Sequence, residues 1–188
     1  MPDNEFGYTA WGMDWVRLAE PLHTTRPEPL LPRARSIARN GGVQLEIDGT
    51  SVRASIHRGS QASVTYLELE PLSPTAVAEI TARIPTDTVE LGDNTHAALR
   101  AAGITVAPTL HLVDCSCNAR TPRCLHLLAT CYALARRVDE SPWLALDVQG
   151  YRTSTAERSQ PTDTPLPRWT PIASLDPTTF FGFTAQGE

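Results

Sequence analysis

Between Cys115 and His126 the chain sets three cysteines and a histidine in the order C-x-C-x6-C-x-H: Cys115, Cys117, Cys124 and His126. Three thiolates and an imidazole are the soft-to-borderline donors that tetrahedral zinc prefers, and four of them complete its shell. C-x-C puts two sulfurs on one side of a tight turn. Cys124 and His126 stand two residues apart, about 200° around an ideal helix, so both cannot reach one metal from a helix interior. Cys124 is therefore expected just before a helix and His126 in its first turn, where the helix N-terminus also favours thiolate. The expectation is one structural zinc ion in a closed site.

Competing readings of the same residues fit less well. A Cys115–Cys117 disulfide closes a strained small ring. Catalytic zinc needs an open coordination position and a nearby acid or base. Asp114 adjoins a ligand, but without the H-x-E and P-C-x-x-C pattern of zinc deaminases. It reads as a solvent-facing or ligand-supporting group. His111 is a substitute ligand only if one of the four is not used. Cys131 falls at core spacing with Leu128, Ala135 and Val138 and reads as a small buried hydrophobe.

A chain of 188 residues with 41% hydrophobic and 20% charged content has the composition of a globular protein with a real core. No apolar run reaches membrane-spanning length. The opening Met1–Pro2–Asp3–Asn4–Glu5 shows no basic-then-apolar leader pattern. A cytoplasmic location, with nucleoid association allowed, is the expectation, and there clustered cysteines bind metal rather than pair. All sixteen basic residues are arginine and the net charge is −5. No basic stripe of the kind that dominates non-specific DNA affinity is present.

Periodicity places the cluster within a larger domain. Trp11, Trp15 and Leu18 share one face of a short helix, and a proline-bearing segment follows. A second helix is expected over Pro32–Arg39, stopped by Gly41–Gly42. Period-two alternation then begins: Val43, Leu45 and Ile47, a turn at Asp48–Gly49, and Val52, Ala54 and Ile56 returning. A third strand, Ser63–Glu70, has Val64 and Tyr66 on one phase and Leu67 and Leu69 on the other, which predicts a bulge or two-sided burial. His57, at a strand end, reads as solvated. Ser73–Pro74 and Asn94–Gly103 bound two further helices, with Val77, Ile80, Ile84 and Leu99 inward. Thr109–Val113, with Leu110 and Leu112 alternating, reads as the strand that delivers Cys115. The long helix after Cys124 runs to about Val138, and Ser141–Pro142 opens a short one that ends at Gly150. The fold class is α+β: an antiparallel β-meander with packed helices and a zinc finger joining a strand to a helix.

Three segments follow from this pattern. Residues 1–40 are an aromatic helical element with a proline-rich linker. Residues 41–151 are the α+β core, with the finger at 114–138. Residues 152–188 are a Pro/Ser/Thr-rich linker that ends in aromatics. There Phe180, Phe181 and Phe183 are candidates for docking on a partner or on the chain itself.

The spacing C-x-C-x6-C-x-H, followed by an Ala/Leu-rich helix, resembles the SWIM zinc finger. So do Trp11–Gly12 with Trp15–Val16, the run from Ala34 to Val43, the run from Tyr132 to Leu144, and the ending Leu175–Gly182, all similar to bacterial members. The loop Asn118–Arg123 departs from the proline, acid and aromatic common there, and Leu125 stands where lysine is usual. The resemblance implies Cys115, Cys117, Cys124 and His126 as zinc ligands and a non-enzymatic role. It further implies a protein-protein or DNA interaction module, with a role as accessory to a Swi/Snf-type helicase ATPase. Alternatives are a direct DNA- or RNA-binding protein using Arg120, Arg123, Arg136 and Arg137, and a metalloenzyme or thiol-redox protein.

Overall fold

In the computed structural model, residues 5–23, 28–58, 61–85, 87–119, 121 and 123–159 are described. The elements run α1 (Ala10–Ala19), α2 (Leu31–Arg39), β1 (Val43–Asp48), β2 (Ser51–Arg58), β3 (Gln61–Leu69), α3 (Pro74–Arg83), α4 (Asp93–Ala101), β4 (Leu110–Cys115), α5 (Leu125–Glu140), α6 (Leu144–Asp147) and α7 (Tyr151–Ser159). The four strands form one antiparallel sheet in the order β1-β2-β3-β4. The fold is α+β. The chain divides into two units, Met1–Glu157 and Arg158–Glu188, and the elements that carry the site belong to the first.

Local chemistry accounts for most boundaries. At the β1–β2 hairpin Gly49 takes a φ of +55°, and among the described residues no non-glycine has positive φ. Glycine at the first central position, with Thr50 following at negative φ, is the type II′ pattern rather than I′. Ser73 caps α3 by accepting the Ala76 N–H, and Pro74 occupies its first turn.

The layers are set by α5. Residues 127–135 of this helix are buried without a break, as expected for a helix covered on all sides. Its neighbours are β1 and β3 of the sheet together with α1 and α2. Val52, Ala54, Ile56, Leu67 and Leu69 supply the sheet's contribution to the core, while α1 brings Trp11 and Trp15.

Two polar networks, the first centred on a buried carboxylate and the second half-buried, tie the helices together. Asp139, near the end of α5, accepts from Gly7 N at 2.6 Å, Thr9 N at 2.9 Å and Thr9 Oγ1 at 2.7 Å. Thr9 Oγ1 in turn accepts the Gly12 N–H as the cap of α1. Gly12 is needed there, because a Cβ at that position would stand 2.0 Å from Asp139 Oδ1. In the second network, Tyr132 Oη donates to Glu20 Oε1 at 2.5 Å and accepts from Arg35 Nε at 3.0 Å, and Arg35 also pairs with Glu20. This joins α1, α2 and α5. Burial pushes the Glu20 carboxyl up, but the hydrogen bonds from Tyr132 and Arg35 outweigh it and hold its pKa below the ordinary value.

Of the two readings of β3, a bulge or two-sided burial, the structure has the first: the β3–β4 register shifts between Glu68 and Leu69. Burial is one-sided, with Thr65, Leu67 and Leu69 inward and Tyr66 37% exposed. In β4 Leu112 is 44% exposed, because this is an edge strand that little covers. One sequence expectation needs correction. Residues 152–159, expected as extended linker, continue α7. No proline occurs before Pro161 to stop that helix, and Arg152 pairs with Asp147 at 3.0 Å. No helix among the described residues is long and apolar enough to cross a membrane.

Candidate metal centre

β4 delivers the first ligand. Cys115 lies opposite Thr65 in the β3–β4 ladder, and both point to the inner face. The next residue anchors the turn: Ser116 N donates to Val64 O, and Ser116 Oγ accepts from Val64 N, each at 2.9 Å. Cys117 follows at the start of the loop. Cys124 is the N-cap of α5, in extended conformation at φ −76° and ψ 164°, with its Sγ accepting the Leu127 N–H at 3.4 Å. His126 sits in the first turn of α5, and its Nδ1 is 3.9 Å from Cys115 Sγ. The placement of Cys124 and His126 matches the expectation from their spacing.

The four ligand atoms of Cys115, Cys117, Cys124 and His126 all lie within 4.8 Å of one another. Cys124 is buried and the other three are half-buried. Three sulfurs in so small a volume repel one another as thiolates unless a cation lies between them. Without one, the protons are shared unequally. Burial pushes the Cys117 thiol up, but the Ala119 backbone N–H and hydrogen bonds from Cys115 and Cys124 outweigh it and leave its pKa lowered. Burial pushes the Cys124 thiol up to about 12, and the neighbouring Cys115 and Cys117 sulfurs add to that rise against the Leu127 N–H. A metal ion that takes all three as thiolates removes this conflict. The donor set and its spread therefore suit a tetrahedrally coordinated metal ion.

Sequence reasoning missed one supporting group. Thr65, 0% exposed, donates its hydroxyl to Cys115 Sγ at 3.7 Å. An O–H···S bond of this kind orients a ligand and stabilises its charged form. The signal was present: in the inward phase 65, 67, 69 of β3, one polar residue stands among leucines. Cys131, buried and with its thiol pushed up to about 12 by that burial, is no ligand. His111 is exposed, and Asp114 turns its exposed carboxylate onto the Cys115 N–H at 2.8 Å.

Of the four arginines expected around the finger, the three that are described do not come together. Arg120 lies outside the described residues. Arg123 turns inward and donates to Leu18 O at 3.3 Å and Ala19 O at 2.5 Å, closing the C-terminal end of α1. Arg136 and Arg137 are exposed on α5, roughly 15 Å along the helix axis from His126 at 1.5 Å per residue. Phe180, Phe181 and Phe183 lie outside the described residues. Compared with known protein families, with curated proteins and with solved structures, the chain matches none.

Proposed function

We propose that Cys115, Cys117, Cys124 and His126 hold one structural zinc ion and that the chain is a non-enzymatic interaction module of the SWIM zinc-finger kind. On this reading it serves as an accessory protein that contacts a Swi/Snf-type helicase ATPase. The observation that carries it is the convergence of four ligand atoms between the end of β4 and the start of α5. With Zn–S about 2.3 Å and Zn–N about 2.0 Å, a tetrahedral site has edges of roughly 3.8 Å between sulfurs and roughly 3.5 Å from sulfur to nitrogen. The distance of 3.9 Å from Cys115 Sγ to His126 Nδ1 is close to that.

Three thiolates disfavour the hard cations, which prefer oxygen. Four protein donors leave no position for substrate or water, which supports a structural role over a catalytic one. Direct DNA or RNA binding has less support, since Arg123 is used inside the fold and the net charge is −5. The reading is tested by metal analysis of protein purified without added metal, combined with alkylation under native conditions. One zinc per chain, with Cys115, Cys117 and Cys124 protected until a chelator is added, is the expected result. A metal-free chain whose three thiols alkylate freely overturns it. The partner assignment is tested by mixing the purified protein with a Swi/Snf-type ATPase from the same cell and looking for a complex by gel filtration.

A further inference from the structure

The two edges of the sheet differ in what they offer. β4 carries the register irregularity opposite Glu68 and Leu69, and Asp114 occupies the Cys115 N–H. A bulge and a capped N–H both discourage a further strand. β1, the other edge, pairs with β2 in continuous register from Val43 to Asp48. His57 N donates to Gly42 O, so by antiparallel alternation Gln44, Glu46 and Asp48 turn their backbone groups toward β2. Val43, Leu45 and Ile47 aim theirs at the open side.

Beside that edge lies a groove of about 320 Å³. Ala38, Val43, Leu45 and Ala133 form its apolar surface, and Arg136 and Arg137 of α5 line it as well. Arg136 is paired with Glu140 at 3.1 Å. Arg137 is exposed and makes no salt bridge among the described residues. Among the described residues, a cation without an ion-pair partner stands beside an apolar groove and a strand edge without a neighbour, in a chain of net charge −5.

We propose that this groove takes an extended segment of a partner protein, with apolar and carboxylate side chains on its inward face, added to β1 as a fifth strand. The inference rests on the interaction-module reading and names its surface and the chemistry of its partner. Main-chain bonds to Val43, Leu45 and Ile47 supply the ladder. Every second side chain of the segment enters the groove, apolar ones against Val43 and Leu45, a carboxylate against Arg137. The alternate side chains pass the exposed Asp48 and the Glu46–Arg53 pair at 3.0 Å, so neutral or basic ones suit the Asp48 end. Nucleic acid offers no ladder of alternating donors and acceptors to match the edge, and its phosphates meet the exposed Asp48.

The test uses the full chain in its metal-loaded form and a fluorescein-labelled ten-residue peptide. The peptide alternates Val and Glu on one face with Thr and Lys on the other. Micromolar binding by anisotropy is expected, lost when alternate peptide amides are N-methylated and weakened about five- to tenfold by Arg137→Glu. Hydrogen exchange should slow on binding at the amides of Val43, Leu45 and Ile47 and change little at Gln44 and Glu46, which the β2 ladder already protects. No binding below millimolar peptide overturns the proposal. So does equal binding of the N-methylated peptide, or a labelled oligonucleotide that binds more tightly through Arg137. Failure here in a folded, zinc-loaded chain leaves the zinc module standing. A chain that holds no zinc overturns the module instead, and the peptide arm is read separately because its residues lie away from the cysteines.

Discussion

Cys124 stands where the metal loop ends and α5 begins, so one side chain carries two duties: it offers a ligand atom, and its Sγ accepts the Leu127 N–H as helix cap. Cys124→Ser keeps a capping oxygen but supplies a poor zinc ligand. The expected outcome is loss of bound metal with a lowered, broadened melting transition; cooperative melting at the wild-type temperature contradicts it. Thr65→Val removes only the hydroxyl that donates to Cys115 Sγ and keeps the β-branched shape. Competition with a chromogenic chelator should show metal affinity reduced about 10- to 100-fold, with the fold retained. Glu20→Gln tests the Tyr132–Arg35 network through pH. The folded-state pKa of Glu20 is depressed, so its contribution is present above the unfolded carboxylate pKa and is lost as pH falls through the lower folded value. The variant should therefore be less stable than wild type at neutral pH by about 1–2 kcal/mol. Urea melts at stepped pH should show the gap closing in acid.

At the scale of elements, α5 is the helix the others are built on. One end begins at the metal ligands, and near the other end Asp139 gathers the chain before α1 through Gly7 and Thr9. Asp139→Ala leaves two backbone N–H groups and a hydroxyl without their acceptor. The expected loss is about 2–3 kcal/mol in denaturant unfolding, with a smaller loss for Asp139→Asn, which keeps an acceptor oxygen. Gly12 belongs to the same contact, because the α1–α5 approach leaves no room for a Cβ. Arg123 shows the converse case: an arginine beside the cysteines, available on sequence grounds for phosphate, is used up at the carbonyl end of α1.

For the molecule as a whole, metal and fold are linked through β4, which joins the sheet along one side only and is held at its end by Cys115. Chelation should therefore raise hydrogen exchange first in residues 110–126. The β1–β2 hairpin, whose ladder has no contact with the ligands, should open later. Uniform loss of protection across all four strands would contradict this order.

What was legible along the chain was whatever depends on near neighbours. C-x-C and C-x-H are spacings within one turn, and from them the placement of Cys124 before α5 and His126 in its first turn followed. Helix caps at Ser73 and the hairpin at Gly49 are equally local. Alternation along β4 could not tell which of its faces would be covered: Leu112, on the same phase as Leu110, is 44% exposed. The remaining contacts join residues far apart in the chain: Thr65 to Cys115 across 50 positions, Tyr132 to Glu20 across 112, Thr9 to Asp139 across 130. No periodicity encodes such pairs. They exist only once β3 has met β4 and α1 has met α5, because a buried polar group is stable only beside its partner.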